Sequence, residues 1–153
     1  MSAVAGKAVA LKECATLAYQ SYAKSVIKNC QALAKSLENE GMRAVSGGTE
    51  THLALIDIRK TGINGKVADE RCDASGITLN KNSIPFDPEA PSVTSGIRVG
   101  TAATTTQGMG VTEMPAIASF IARAIKDGGD ENVAKKIRSE VHDFTAKFSV
   151  YKR

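Results

Sequence analysis

The run from Thr94 to Thr101, TSGIRVGT, sets a single arginine inside a short apolar stretch. Arg98 stands between Ile97 and Val99, with Gly96 and Gly100 just outside them. The β-branched neighbours ask for a strand, and glycine in a strand often marks a place where something approaches the backbone closely. Arginine is rarely buried without a partner. The chemistry that suits this placement is two-bond recognition of a carboxylate by the planar guanidinium. The competing reading is an edge-strand arginine that snorkels to water or pairs with a nearby Asp or Glu.

Other chemistry-bearing residues give less. His52 opens an alternating run and reads as structural, and His142 lies in a terminal helical pattern. Neither has a cysteine or carboxylate at metal-site spacing, so no metal is assigned. Gly47 and Gly48 are turn glycines, and neither G-x-x-x-x-G-K-[ST] nor a helix-opening G-x-G-x-x-G occurs. No Ser-His-Asp or Cys-His set follows from the spacing. Cys14, Cys30 and Cys72 are odd in number and far apart, which fits reduced thiols in a cytoplasmic protein.

The elements that must position Arg98 are legible. Helices are expected over Ala3–Ala15 and Leu17–Asn39, the second with Tyr19, Tyr22, Val26, Cys30, Leu33 and Leu37 stepping by three or four. Gly41 ends it. Arg43–Val45 is extended and Ser46–Thr49 a turn. His52–Ile58 alternates, with Leu53, Leu55 and Asp57 on one face and Ala54, Ile56 and Ile58 on the other. A helix spans Asn64–Ser75 before Gly76, and Ile77–Leu79 reads as a strand. Pro85, Pro88 and Pro91 make 82–92 irregular. Ile97–Gly100 is the next strand, Glu113–Lys126 a helix broken by Gly128-Gly129, and Asp130 caps a last helix to about Lys147. No period repeats. The order implies a mixed α/β chain, an α+β sandwich with helices on one face of a small sheet.

Four segments acquire meaning together: AGKAVALKE at Ala5–Glu13, SGGTETHL at Ser46–Leu53, NKNSIPFDP at Asn80–Pro88, and TSGIRVGT, followed by TTTQG at Thr104–Gly108. In this order and spacing they resemble the C-terminal part of serine hydroxymethyltransferase, from about Ala3 to about Lys126. The tail is less similar, with only FSVY at Phe148–Tyr151 loosely alike. The resemblance implies a pyridoxal phosphate enzyme that exchanges a one-carbon unit between serine or glycine and tetrahydrofolate. It implies the small C-terminal domain of the aspartate aminotransferase-like fold at 41–153, and a helical connector from a large domain at 1–40. It implies that Arg98 binds the amino-acid carboxylate and that Asn82 contacts the pterin of the folate. Lys81, beside Asn82, is the residue that could meet an anionic folate tail; an exposed loop lysine is the competing reading.

The resemblance also locates what this stretch lacks. The family's coenzyme lysine lies in a THK-type motif upstream of the matched region, and no such motif occurs here. The chain alone is therefore expected to bind no pyridoxal phosphate and to be inactive, with an N-terminal portion supplying those residues. Thr51, Ala102 and Gln107 depart from the Asn, Pro and Arg usual in the family. Three readings stay open: a piece of an ordinary enzyme, one subunit of a split enzyme, and a non-catalytic dimeric interaction domain. A homo-oligomer is expected in each case.

Composition narrows the remainder. The chain has 153 residues, 22 alanines, no tryptophan and a net charge of +4. Its basic residues are scattered, apart from Lys135, Lys136 and Arg138, so a nucleic-acid-binding face is not expected. The alanine- and lysine-rich start could pass for a transit peptide, but its match to an internal family helix argues otherwise. No apolar run reaches membrane-spanning length, and no membrane partner is expected.

Overall fold

A computed structural model describes residues 1–150, so Tyr151 of the FSVY segment lies outside the described residues. Two helices open the chain, α1 over Ser2–Cys14 and α2 over Leu17–Asn39. Thr16 starts α2 by accepting a hydrogen bond from the Tyr19 amide at 3.2 Å on its hydroxyl. From Val26 onward the apolar stripe is buried as its spacing requires, through Cys30, Leu33 and Leu37. Tyr19, the first member of that stripe, is instead exposed. Only the later turns of α2 have a sheet and a helix to pack on. Helix α1 buries nothing. Its Val4, Val9 and Leu11 are all exposed. At about 100° per residue, Val9 lies about 140° round from Val4 and Leu11 about 200° from Val9, so they form no single face.

Four strands follow: β1 Arg43–Ala44, β2 Leu53–Asp57, β3 Asn80–Asn82 and β4 Gly96–Gly100. They pair antiparallel in the order β1-β2-β4-β3. The alternation expected of β2 holds. Ala54 lies opposite Val99 and Ile56 opposite Ile97, and all four side chains are buried. Their face closes on α2, on α3 (Gly65–Ala74) and on α5 (Met114–Asp127). Ile97, Ile56, Leu37 and Ile125 are each fully buried there; burying such a side chain contributes roughly 1.5–3 kcal/mol. Leu53 and Leu55, with Arg98 opposite Leu55, lie on the other, more open face. The result is an α+β arrangement with one helix-covered sheet face.

Two elements differ from expectation. The strand read at Ile77–Leu79 forms three residues later, at Asn80–Asn82. The apolar, β-branched character of Ile77–Leu79 reports burial of Leu79 in the core rather than pairing. The ladder falls on the poorer strand formers because these lie opposite Gly96–Arg98. A short helix, α4, forms at Ala102–Thr106, a segment to which the sequence assigned no element. Its hydroxyls bond back along the chain, Thr105 Oγ1 to the Thr101 carbonyl at 2.7 Å and Thr106 Oγ1 to the Ala102 carbonyl at 2.9 Å.

The last helix, α6, spans Glu131–Thr145. As expected, Asp130 caps it, accepting from the Asn132 amide at 2.7 Å. It docks through fully buried Ile137 and through Phe144, whose ring meets Phe120 edge-on at 5.6 Å.

Candidate functional site

Arg98 occupies the middle of β4, flanked across the sheet by Leu55 on one side and Asn80 on the other. Its side chain is exposed, while its neighbours Ile97 and Val99 point the other way and are buried. No hydrogen bond or ion pair engages it among the described residues, unlike Arg43, Arg59, Arg71 and Arg123.

The local ion pair that would make Arg98 merely structural is not available. The carboxylate closest in register on its face is Asp57, opposite Gly96 and so diagonal to Arg98. Asp57 is buried and already committed. It accepts from Arg43 Nη2 at 2.9 Å, from Arg59 Nη2 at 2.8 Å and from the Arg59 amide at 3.0 Å. Burial by itself would raise its pKa. The hydrogen bonds from Arg59 and Arg43, with the Arg59 charge, outweigh that and hold it down at about 2.

The glycines beside Arg98 have a different role from the one their spacing suggested. They do not leave room for a ligand. A Cβ on Gly96 would meet Ile84 Cγ2 at 2.7 Å and the carbonyls of Asn82 and Ile56 at 2.9 Å. One on Gly100 would meet Leu53 Cδ2 at 2.8 Å. Both positions are filled by neighbouring strand residues and Ile84, so the glycines serve close strand packing.

The entry to β4 is fixed just as firmly. Thr94 holds a left-handed φ of 63°, unusual for a β-branched residue. Its carbonyl and that of Val93 accept the first amides of α3, from Gly65 and Lys66, each at 2.9 Å. Asp87 then ties both ends of the preceding loop together. It accepts from the Ile84 amide at 3.0 Å, the Ser95 amide at 2.9 Å and the Ser95 hydroxyl at 2.6 Å. Burial pushes its pKa up, and these bonds, with one from the Glu89 amide, pull it to about 2.

Asn82 sits half-buried at the end of β3, opposite Gly96. Its Nδ2 donates to the adjacent Ser83 carbonyl at 2.8 Å, leaving its carbonyl oxygen without a bond among the described residues. Lys81, opposite Ile97, is half-buried in the same strand. His52 is exposed at the head of β2, and its carbonyl accepts from the Thr101 amide at 3.3 Å. His142 is exposed on α6, away from the sheet.

Sequence reasoning missed the residues that hold the exit of β4. Asn29 is buried and donates to Thr105 Oγ1 at 2.9 Å and to the Met109 carbonyl at 3.0 Å. Thr101 Oγ1, also buried, donates to the Val26 carbonyl at 2.8 Å. Tyr22 reaches the Ala102 carbonyl at 3.2 Å. Together they clamp α4 against α2. The one available signal was Asn29 itself, a polar residue interrupting the apolar stripe between Val26 and Cys30. Cys30 and Cys72 are fully buried thiols, raised by burial to about 11 and about 12, and so are poor nucleophiles. Cys14 is exposed.

A cavity of about 620 Å³ adjoins Arg98, bounded by β4, the 76–80 segment, α4, α5 and α6. It exists because β3 pairs with β4 only as far as Arg98, so Val99 and Gly100 have no strand on that side. Among the described residues, its lining contains Arg98 but no lysine and no carboxylate. Pyridoxal phosphate requires a lysine amine, and neither this lining nor the cross-strand neighbours of Arg98 offer one. The residues here do not fit that coenzyme, and the chemistry they support is recognition of an anion. Among the described residues, no group of three His, Cys, Asp or Glu could hold a metal, and no helix is long and apolar enough to cross a membrane.

The comparison with known families agrees with the motifs. The model of the family described as serine hydroxymethyltransferase matches residues 1–121, which takes in both opening helices, the whole sheet, α4 and the first half of α5. With most of its length matched, including Arg98 and the elements that position it, the chain belongs to the serine hydroxymethyltransferase family.

Proposed function

We propose that this chain supplies the substrate-recognition face of a serine hydroxymethyltransferase, with the pyridoxal phosphate lysine and phosphate site provided by an N-terminal portion. Arg98 binds the carboxylate of serine or glycine. Two parallel N–H···O bonds from one guanidinium fix the rotation of the substrate about its α-carbon and so select the bond to be cleaved. Asn82 turns its free amide oxygen, and its NH₂ after release from Ser83, to the edge of the pterin ring of tetrahydrofolate. Residues 41–153 form the small domain of an aspartate aminotransferase-like fold, and residues 1–40 connect it to a large domain. The complete enzyme is a cytoplasmic homo-oligomer.

The observation that carries this reading is the unpaired Arg98 on the open sheet face, beside an Asp57 already taken by Arg43 and Arg59. The N-terminal portion is called for by the coenzyme lysine, which neither the described lining of the cavity nor the strand residues beside Arg98 supply. That portion serves equally as the same polypeptide or as a second subunit of a split enzyme.

The test is Arg98→Lys in an enzyme completed with the coenzyme-bearing portion. Lysine keeps the charge and loses the planar fork. Truncating one member of a desolvated charged pair costs about 2–5 kcal/mol, a rise in the serine dissociation constant of tens- to thousands-fold. Coenzyme affinity is expected to be unchanged and folate affinity to shift far less. Unaltered serine affinity would remove Arg98 from the carboxylate site. Mixed with pyridoxal phosphate, the 153-residue chain alone is expected to retain no bound-coenzyme absorbance after dialysis.

A further inference from the structure

We infer that the cavity beside Arg98 is a binding site for an apolar monocarboxylic acid, with its carboxylate on Arg98 and its hydrocarbon part among the side chains of α5 and α6. The inference shares with the proposed function only the role of Arg98 as a hydrogen-bond donor to a carboxylate. It adds a ligand class different from amino acids and predicts competition between the two.

Three observations carry it. The cavity's volume, about 620 Å³, lies inside the range of about 300–1,000 Å³ in which small-molecule sites fall. Its wall is apolar where α5 supplies it, through Ile117, Phe120 and Ile121, and Phe144 of α6 extends that surface. The polar lining is confined to a few groups, among them Arg98, Asn80 and the amide of Gln107. Among the described residues Arg98 is the one charged residue of the lining and is uncompensated, so a ligand without negative charge would leave it unpaired at the mouth of an apolar space. An acid with a hydrocarbon tail satisfies both halves of the site, whereas serine, with a hydroxymethyl group, would leave the apolar part empty.

The placement also separates this site from the one family membership implies. Phe144, with the other α6 residues of the wall, lies beyond residue 121, outside the family match. Arg98 lies inside it. Arg98 thus borders two spaces, the open sheet face and a cavity whose far wall comes from α6.

The experiment is isothermal titration of the 153-residue chain with octanoate, alongside acetate and 1-octanol as charge-only and tail-only probes. Octanoate is expected to bind at least ten-fold more tightly than either. Arg98→Gln, with an unchanged melting temperature, is expected to weaken octanoate at least ten-fold and leave 1-octanol unaffected. Ile117→Phe fills the apolar part and is expected to weaken octanoate while the fold, read by circular dichroism, persists. Failure of octanoate to bind at 1 mM, or equal binding by wild type and Arg98→Gln, would overturn the inference. Neither result touches the serine affinity of the completed enzyme. Conversely, serine affinity insensitive to Arg98→Lys would overturn the proposed function and leave an Arg98-dependent octanoate signal standing.

Discussion

Ile97 and Arg98 are consecutive residues of one strand and experience opposite environments. Ile97 is fully buried opposite Ile56, under α2, α3 and α5. Arg98 is exposed opposite Leu55, with no partner among the described residues. The pleat alone produces this contrast, because successive side chains leave a strand on opposite faces. One face of the sheet spends its residues on stability. The other keeps its polar groups available. The difference teaches that Arg98 is positioned from the closed face and from the two ends of its strand: Ile97 and Val99 anchor the strand, Asp87 and Thr94 its entry, and Asn29 and Thr101 its exit.

The harshest way to break the comparison is to charge the closed face. Ile97→Asp would bury a carboxylate among Ile56, Leu37 and Ile125 with no partner. Ions are not tolerated in such surroundings without several kcal/mol of penalty, a large part of the roughly 5–15 kcal/mol by which a domain is stable. The expected outcome is a chain unfolded at 25 °C by circular dichroism. Gly96→Ala comes next. Its Cβ would lie 2.9 Å from two strand carbonyls, so the ladder itself must move. Overpacking of this kind costs about 1–3 kcal/mol, measured as a lower urea midpoint with unchanged slope.

How far this contrast could be read without coordinates depends on what set each element. The alternation of Leu53–Asp57 and the stepping of Val26, Cys30, Leu33 and Leu37 report burial directly, and both hold. Arg98 on a strand with its side chain away from Ile97 also follows from periodicity. The strand at Asn80–Asn82 does not, because its ladder is imposed by Gly96–Arg98 from across the sheet, and local propensity favoured Ile77–Leu79. Helix α4 depends on Asn29 and Tyr22, distant in sequence by some 80 residues. The meaning of Gly96 and Gly100 was invisible for the same reason. Their neighbours, Ile84 and Leu53, come from other segments. Asp57 and Arg59, two residues apart, were a local signal that went unread.

Acid is a gentler perturbation and sharpens the contrast by titration. Asp57 and Asp87 both have folded-state pKa values near 2, below the unfolded value near 4. A depressed carboxyl contributes stability that is fully present above the unfolded pKa and is lost as pH falls through the folded one. Stability is therefore expected to be level from neutral pH down to about 5 and to fall between about pH 4 and pH 2. Asp57→Asn keeps the shape but removes the charge that Arg43 and Arg59 share. It should flatten that fall. A fall just as steep in the variant would show that other carboxylates govern acid unfolding.

The smallest expected effect is the most discriminating. Arg98→Ala removes a charged side chain from the middle of a central strand, where most substitutions are costly. Here it breaks no hydrogen bond and no ion pair among the described residues, and it removes no buried side chain from the core, because Arg98 is exposed. Surface substitutions away from caps, networks and strained positions stay within about 0.5 kcal/mol. Alanine is a poorer strand residue than its β-branched neighbours, and this uses up part of that margin. The melting temperature of Arg98→Ala is therefore expected to fall within about 1–2 °C of the parent, against outright unfolding for Ile97→Asp one residue away. A fall several times larger would mean that the open face is held by Arg98 itself. The guanidinium would then be stabilising Leu55, Asn80 or the 76–80 segment in the folded chain. Losses of serine or octanoate binding in its variants would have to be read as losses of structure. A fall within the margin leaves Arg98 as a group maintained at no benefit to the fold, and binding is then the role left to account for it.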